Sequence, residues 1–264
     1  MLTSRIAFVM LMLAGQAVSA NILLLENFES FAGQGLEPGG GHGTLDSTLW
    51  AIAGLSMGDT RFGERLSSGD SARGRSPGRV RGGGLYAFEI AGGHALGWQS
   101  TGANLTPGSL FRQVLNETPV SWSNLWLNFN LWTFNDQPRS SSVNLRASTP
   151  GQPGIQLARF STPLAAAAHP VWRRQAFSVS LGDALVPPGA LMTLEWQLAD
   201  AGGHGSRDEL ALDDLRLFRP TTAFQVDEGS TLLYSGFGLG LLLRRRYRAK
   251  TYRPKTLEAR MNNR

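Results

Sequence analysis

Six carboxylates stand where they could act together: Asp208, Glu209, Asp213 and Asp214 crowd the end of the long central segment, and Glu26 and Glu29 open it. Calcium takes oxygen ligands from carboxylates and carbonyls, and strand ends and glycine-rich loops supply both. Glu29 and Asp213 are the expected pair for a structural calcium. Two unpaired carboxylates held close repel, and a cation between them keeps both ionised. The competing reading pairs Asp208 with Arg207 and lets Asp213 cap a bulge. Glycosidase chemistry would need two acids facing across a cleft, which their spacing in the chain does not place.

Other reactive patterns are weaker. Gly54-Leu55-Ser56-Met57-Gly58 has the spacing of a nucleophile elbow, which requires a strand, a strained turn and then a helix. The following Asp59 to Arg81 is rich in glycine and arginine and has no helical period, so the match reads as a chance turn. His42, His94, His169 and His204 stand far apart, with none in a zinc-ligand spacing. His42 and His204 sit between glycines, as loop tips do. The chain has no cysteine, which excludes thiolate and disulfide chemistry. Of its seven tryptophans, Trp122, Trp126 and Trp132 are close enough to form one aromatic platform against a sugar face; the alternative is that they fill a second core layer.

Positioning these residues falls to short runs of period 2 separated by Gly, Pro, Ser and Asn, the pattern of an all-β sandwich. Leu125, Leu127, Phe129 and Leu131 share one face of a strand, and Trp126, Asn128, Asn130 and Trp132 share the other. Met192, Leu194, Trp196 and Leu198 alternate with polar residues, and Phe177, Val179 and Leu181 alternate with serines. Leu85 to Ile90 and Ser109 to Leu115 are further strands. In Glu209 to Phe218 the parity breaks: Leu210 and Leu212 match each other but not Leu215 and Leu217. A register flip at Asp213-Asp214 predicts a β-bulge. The expected fold is a jelly-roll-like antiparallel β-sandwich over residues 21–220.

The flanks read as targeting segments. Residues 1–20 carry Arg5, the apolar run Ile6 to Ala14 and small residues ending at Ala20, the layout of a signal peptide cleaved before Asn21. After a linker at 221–230, residues 231–243 are uncharged, a short membrane anchor. In the tail, 244–264, nine Lys or Arg face the single acid Glu258, a charge of +8; with +1 from Arg5, the formal total of +5 leaves −4 on residues 21–243. A nucleic-acid partner is thereby excluded, because its basic footprint belongs on the folded part. The basic tail places the C-terminus in the cytoplasm and the sandwich outside.

Val226, Glu228, Ser230, Thr231 and Leu232, followed by the apolar run and Arg244-Arg245-Arg246, resemble the PEP-CTERM sorting signal of Gram-negative bacteria. That family's Val-Pro-Glu-Pro-Ser-Thr-Leu is degenerate here, with Asp227 and Gly229 in place of the prolines. The resemblance implies export, membrane anchoring and exosortase as a processing partner. Gly82-Gly83-Gly84-Leu85-Tyr86-Ala87-Phe88, Asn135-Asp136 and Gly205 to Asp214 are similar to an uncharacterised module of bacterial surface proteins. Leu25 to Glu29 and Leu212 to Leu215 look like the first and last strands of galactose-binding-like jelly rolls, which implies that the two lie side by side. The function expected is structural or adhesive, in the cell envelope or extracellular matrix and without catalysis. The alternative is a carbohydrate-binding module with extracellular polysaccharide as its partner, and a secreted hydrolase comes last.

Overall fold

The computed structural model describes residues 20–152 and 154–220. The expected signal peptide, residues 1–20, lies outside the described residues but for Ala20, and so do the expected linker, the PEP-CTERM-like motif, the run 231–243 and the basic tail. Among those described, no helix is long and apolar enough to cross a membrane.

The strands are β1 (Ala20–Glu26), β2 (Leu36–Glu37), β3 (Leu45–Asp46), β4 (Trp50–Ala53), β5 (Arg75–Ser76), β6 (Gly84–Ile90), β7 (Gly93–Gln99), β8 (Gly108–Leu115), β9 (Trp126–Phe134), β10 (Arg139–Ser148), β11 (Ile155–Ser161), β12 (Trp172–Ser180), β13 (Leu191–Gly203) and β14 (Glu209–Pro220). They form an all-β sandwich. The larger sheet runs β12-β9-β14-β7-β6-β5, with β1 beside the later half of β14, and the smaller runs β11-β10-β13-β8-β4. The long pairings are antiparallel; the two-residue pairings β2 with β3 and β5 with β6 are parallel. From β8 onward the chain crosses repeatedly between sheets, so each inner face is assembled from segments distant in sequence.

Alternation decides what each strand buries. Leu127, Phe129 and Leu131 of β9, Leu210, Leu212, Leu215 and Leu217 of β14, and Met192, Leu194, Trp196 and Leu198 of β13 meet in one core. Its centre is aromatic: Trp196 stacks on Trp50 at 6.1 Å and meets Phe129 edge-on at 6.2 Å, which joins the two sheets through one indole. A smaller cluster of Tyr86, Phe88, Ile90, Ala95 and Ala211, with Val80, Trp132 and Trp172 against it, lies on the outer face of the larger sheet. Gly97 makes room there, since a Cβ would meet the Phe88 ring at 1.9 Å. The loop after β5 covers this cluster, tied down by the Trp172 indole N–H donating to the Pro77 carbonyl at 2.8 Å and the Tyr86 hydroxyl donating to that of Gly82 at 2.8 Å.

β1 and β14 are antiparallel neighbours, from Ala20 opposite Pro220 to Glu26 opposite Leu215. The register break stands where the leucine parity flips: Asp213 faces Asn130 and Arg216 faces Asn128, so β14 spends one more residue than β9 across this interval. Asp214 has φ +50°, a left-handed conformation that Asp tolerates better than most residues because its short side chain bonds locally. The bulge therefore keeps all four leucines of β14 in the core.

Candidate functional site: an outer groove at the bulge of the last strand

Because β9 turns Leu127, Phe129 and Leu131 inward, its other parity, Trp126, Asn128, Asn130 and Trp132, faces outward. The ladders set Ala176 and Ser178 of β12 beside Asn130 and Asn128 on one side, and Asp213 and Arg216 of β14 beside them on the other. The result is a groove of about 440 Å³ floored by Asn128, Asn130, Ala176, Ser178, Asp214 and Arg216, with the exposed Leu25 of β1 at its rim. Trp126 stands one alternation beyond Asn128, and Trp132 one beyond Asn130. At about 3.3 Å per strand residue the two indoles are roughly 20 Å apart.

The bulge supplies the groove's acid. Asp214 Oδ2 accepts a 2.6 Å hydrogen bond from the Asn130 amide, which orients that amide across the strand boundary. Arg216 places its guanidinium over the Phe218 ring at 5.3 Å. Asn128 Oδ1 and Arg216 Nε are shielded and lack a hydrogen-bond partner, while the Trp132 indole N–H is turned to Asp213. The groove lining itself carries amides, a hydroxyl, a carboxylate and a guanidinium, which suits a ligand carrying many hydroxyls, since each hydroxyl both donates and accepts.

Asp213 borders the groove. Burial pushes its carboxyl up to about 6; the Asp214 N–H counters this, and the Asp214 and Glu29 carboxylates add to it. Asp213 Oδ1 accepts from the Asp214 N–H at 2.8 Å, the bulge-capping contact considered for it. Glu29 sits beyond β1, over Gly93, its carboxylate accepting the His94 N–H at 3.3 Å. A calcium between the two acids stays a proposal. Among the described residues, no three His, Cys, Asp or Glu side chains converge as a metal cluster.

Two readings need correction. Trp122 does not join Trp126 and Trp132: it is buried, 3% exposed, its indole donating to Thr118 Oγ1. It lies outside the long strands and bridges Val186 instead, so strand parity never governed it. Asp208 is not the partner of Arg207. Arg207 lies 3.4 Å from Asp200, whereas Asp208 Oδ1 accepts from the Gln137 N–H at 3.0 Å. Burial pushes the Asp208 carboxyl up to about 6. Ser56 sits in a turn and donates to the buried Asp70 at 2.8 Å, with no strand-turn-helix around it.

The residues that sequence reasoning missed are Arg216 and Ser178. The signal for Arg216 was present: once the parity flips at Asp213-Asp214, the next outward position is 216. Ser178 was legible only as a polar alternate of β12, because its place beside Asn128 depends on strand order.

The chain matches no protein-family model and no curated protein sequence. Among solved structures it is similar to a xylan-binding domain from Paenibacillus barcinonensis, at 13% identity over 78% of this chain and 99% of that one, TM-score 0.37. It is similar to the cleaved adhesin domain of Lys-gingipain from Porphyromonas gingivalis, at 14% identity over 74% and 98%, TM-score 0.36. A carbohydrate-binding module that recognises mannan aligns at 11% identity over 52% and 80%, TM-score 0.35. Likeness this loose assigns neither family nor ligand to the chain.

Proposed function

We propose that the chain is an exported, membrane-anchored protein of the cell envelope whose jelly-roll-like sandwich binds carbohydrate in the β9–β14 groove, without catalysis. One observation carries this reading: an open groove whose floor holds Asn128, Asn130, Ser178, Asp214 and Arg216, with the half-exposed Trp126 one alternation beyond Asn128. Aromatic faces stack on the apolar faces of sugars, and amides, a carboxylate and a guanidinium fix hydroxyls by directed hydrogen bonds. The purified full-length chain is expected to retain a polysaccharide on a glycan array. Asn130→Ala and Arg216→Ala should each weaken that binding about tenfold, the worth of one hydrogen bond to a charged or well-oriented group. Phe111→Ala, on the opposite sheet, should leave it unchanged. A chain that binds no glycan, or loses nothing with these two substitutions, returns the sandwich to a structural or adhesive role.

Anchoring rests on the uncharged run 231–243 and on Arg244, Arg245 and Arg246 through the positive-inside rule. A reporter that works only in the cytoplasm, fused after Arg264, is expected to be active. An inactive reporter of full expression would show that the segment does not span. The PEP-CTERM-like motif leads us to propose exosortase as the processing partner.

A further inference from the structure

A second polar site lies at the other end of β14. Glu209 opens that strand, with Phe134 of β9 on one side of the ladder and Gln99 of β7 directly opposite on the other. Directly opposed residues put their side chains on one face, with Cβ atoms about 5 Å apart. Glu209 has no exposed surface and Gln99 only 1%. Glu209 Oε1 accepts the Val80 N–H at 2.6 Å, but Oε2 has no donor. The Gln99 amide nitrogen donates to the carbonyls of Ser100 at 3.2 Å and Arg207 at 2.8 Å, which commits its orientation, and Oε1 is left without a donor. The loop after β9 brings Asp136 against Glu209, and Asp136 Oδ1 has no donor either.

Glu209 thus has Gln99 opposite it on the ladder and the Asp136 side chain within hydrogen-bonding reach, and with both carboxyls ionised the three buried oxygens have no donor. The nearby cations point elsewhere: Arg207 lies 3.4 Å from Asp200, its Nε unpartnered, Arg73 donates through its Nε to the Gly83 carbonyl, and Arg79 lies over the Phe134 ring at 5.9 Å. Burial, and then the Asp136 charge, hold the Glu209 carboxyl well above the usual carboxylate range. An acceptor buried without a partner costs about 1–3 kcal/mol, and a charged one more. A hard cation removes all three deficits at once. Calcium takes six to eight oxygens from carboxylates, amide and backbone carbonyls, and water, so two carboxylates and an amide oxygen would anchor it, with backbone carbonyls and water completing its shell.

We propose that Asp136, Glu209 and Gln99 form a calcium site that clips the loop after β9 and the covering loop at Val80 to the start of β14. This site is separate from the groove, and its test does not depend on sugar binding. In thermal melts of the full-length chain against EDTA, calcium at about a hundred times its dissociation constant should raise the midpoint by roughly 5–10 °C. Terbium luminescence sensitised by the protein should report occupancy directly. Glu209→Gln and Asp136→Asn, both isosteric, should abolish the shift and the terbium signal; Asp213→Ala should keep both. The proposal is overturned if calcium and terbium have no effect, because the carboxyl pair then shares a proton instead. It is equally overturned if Glu209→Gln retains the shift, or if Asp213→Ala alone removes it, which would move the ion to Glu29 and Asp213.

Discussion

Trp196→Ala is expected to destabilise the sandwich by about 4 kcal/mol, the middle of the range for deleting a fully buried indole. The side chain has no exposed surface, stacks on Trp50 in its own half of the core and meets Phe129 of the opposite sheet edge-on. Its removal opens a cavity between the layers, where neither sheet can close without moving the other. Domains of this size are stable by about 5–15 kcal/mol, so the variant should fold but melt roughly 10–15 °C lower. Trp196→Phe isolates the cause. Trp196 Nε1 has no acceptor, so phenylalanine keeps part of the ring contacts while removing an unsatisfied donor, and should cost about half as much as alanine, roughly 2 kcal/mol. Urea melts at unchanged slope measure both. A loss below about 1.5 kcal/mol for the alanine variant would mean that the sheets are not joined at this ring.

In metal-free buffer, stability should fall as pH rises from about 4 through 6. Burial raises both Asp208 and Asp213 from 3.8 to about 6. Between those values the folded chain holds protons that the unfolded chain has released, and the linkage relation then makes stability decrease with pH. For Asp208, 1% exposed, a preference of this size is worth on the order of 3 kcal/mol. Asp213 adds less, being more open to solvent. Asp200 acts in the opposite direction. The hydrogen bond from Arg139 holds its carboxyl below the usual range, so its contribution is present above pH 4 and lost as pH falls further. The profile should therefore peak near pH 4. Glu209, fully buried and held higher still by burial and the Asp136 charge, carries the decline on above pH 6, so Asp208→Asn, which cannot ionise, should remove only part of it and be more stable than the parent at pH 7. Chemical denaturation at several pH values in EDTA tests this, and a profile that is flat or rises from pH 4 to 7 would refute the buried-acid account.

Local alternation was enough to determine the inward and outward faces of β9, β12 and β13 and the register break of β14. Side-chain direction along a strand follows from a two-residue period and needs no knowledge of neighbours. The adjacency of β1 and β14 came instead from likeness to known jelly rolls. Trp122 was not legible, because it lies beyond the strand whose parity orders Trp126 and Trp132. Nor was the partner of Asp208, because an adjacent arginine in sequence is drawn off by Asp200 across a turn of the fold. The groove needed the order β12-β9-β14, and the Asp136, Glu209 and Gln99 cluster needed β9-β14-β7. Both sites lie across strand pairings between segments separated by tens of residues. Alternation sets which side chains face the core along these strands, whereas the grouping of outward side chains into a site follows from pairing order, which depends on how two sheets close over one core.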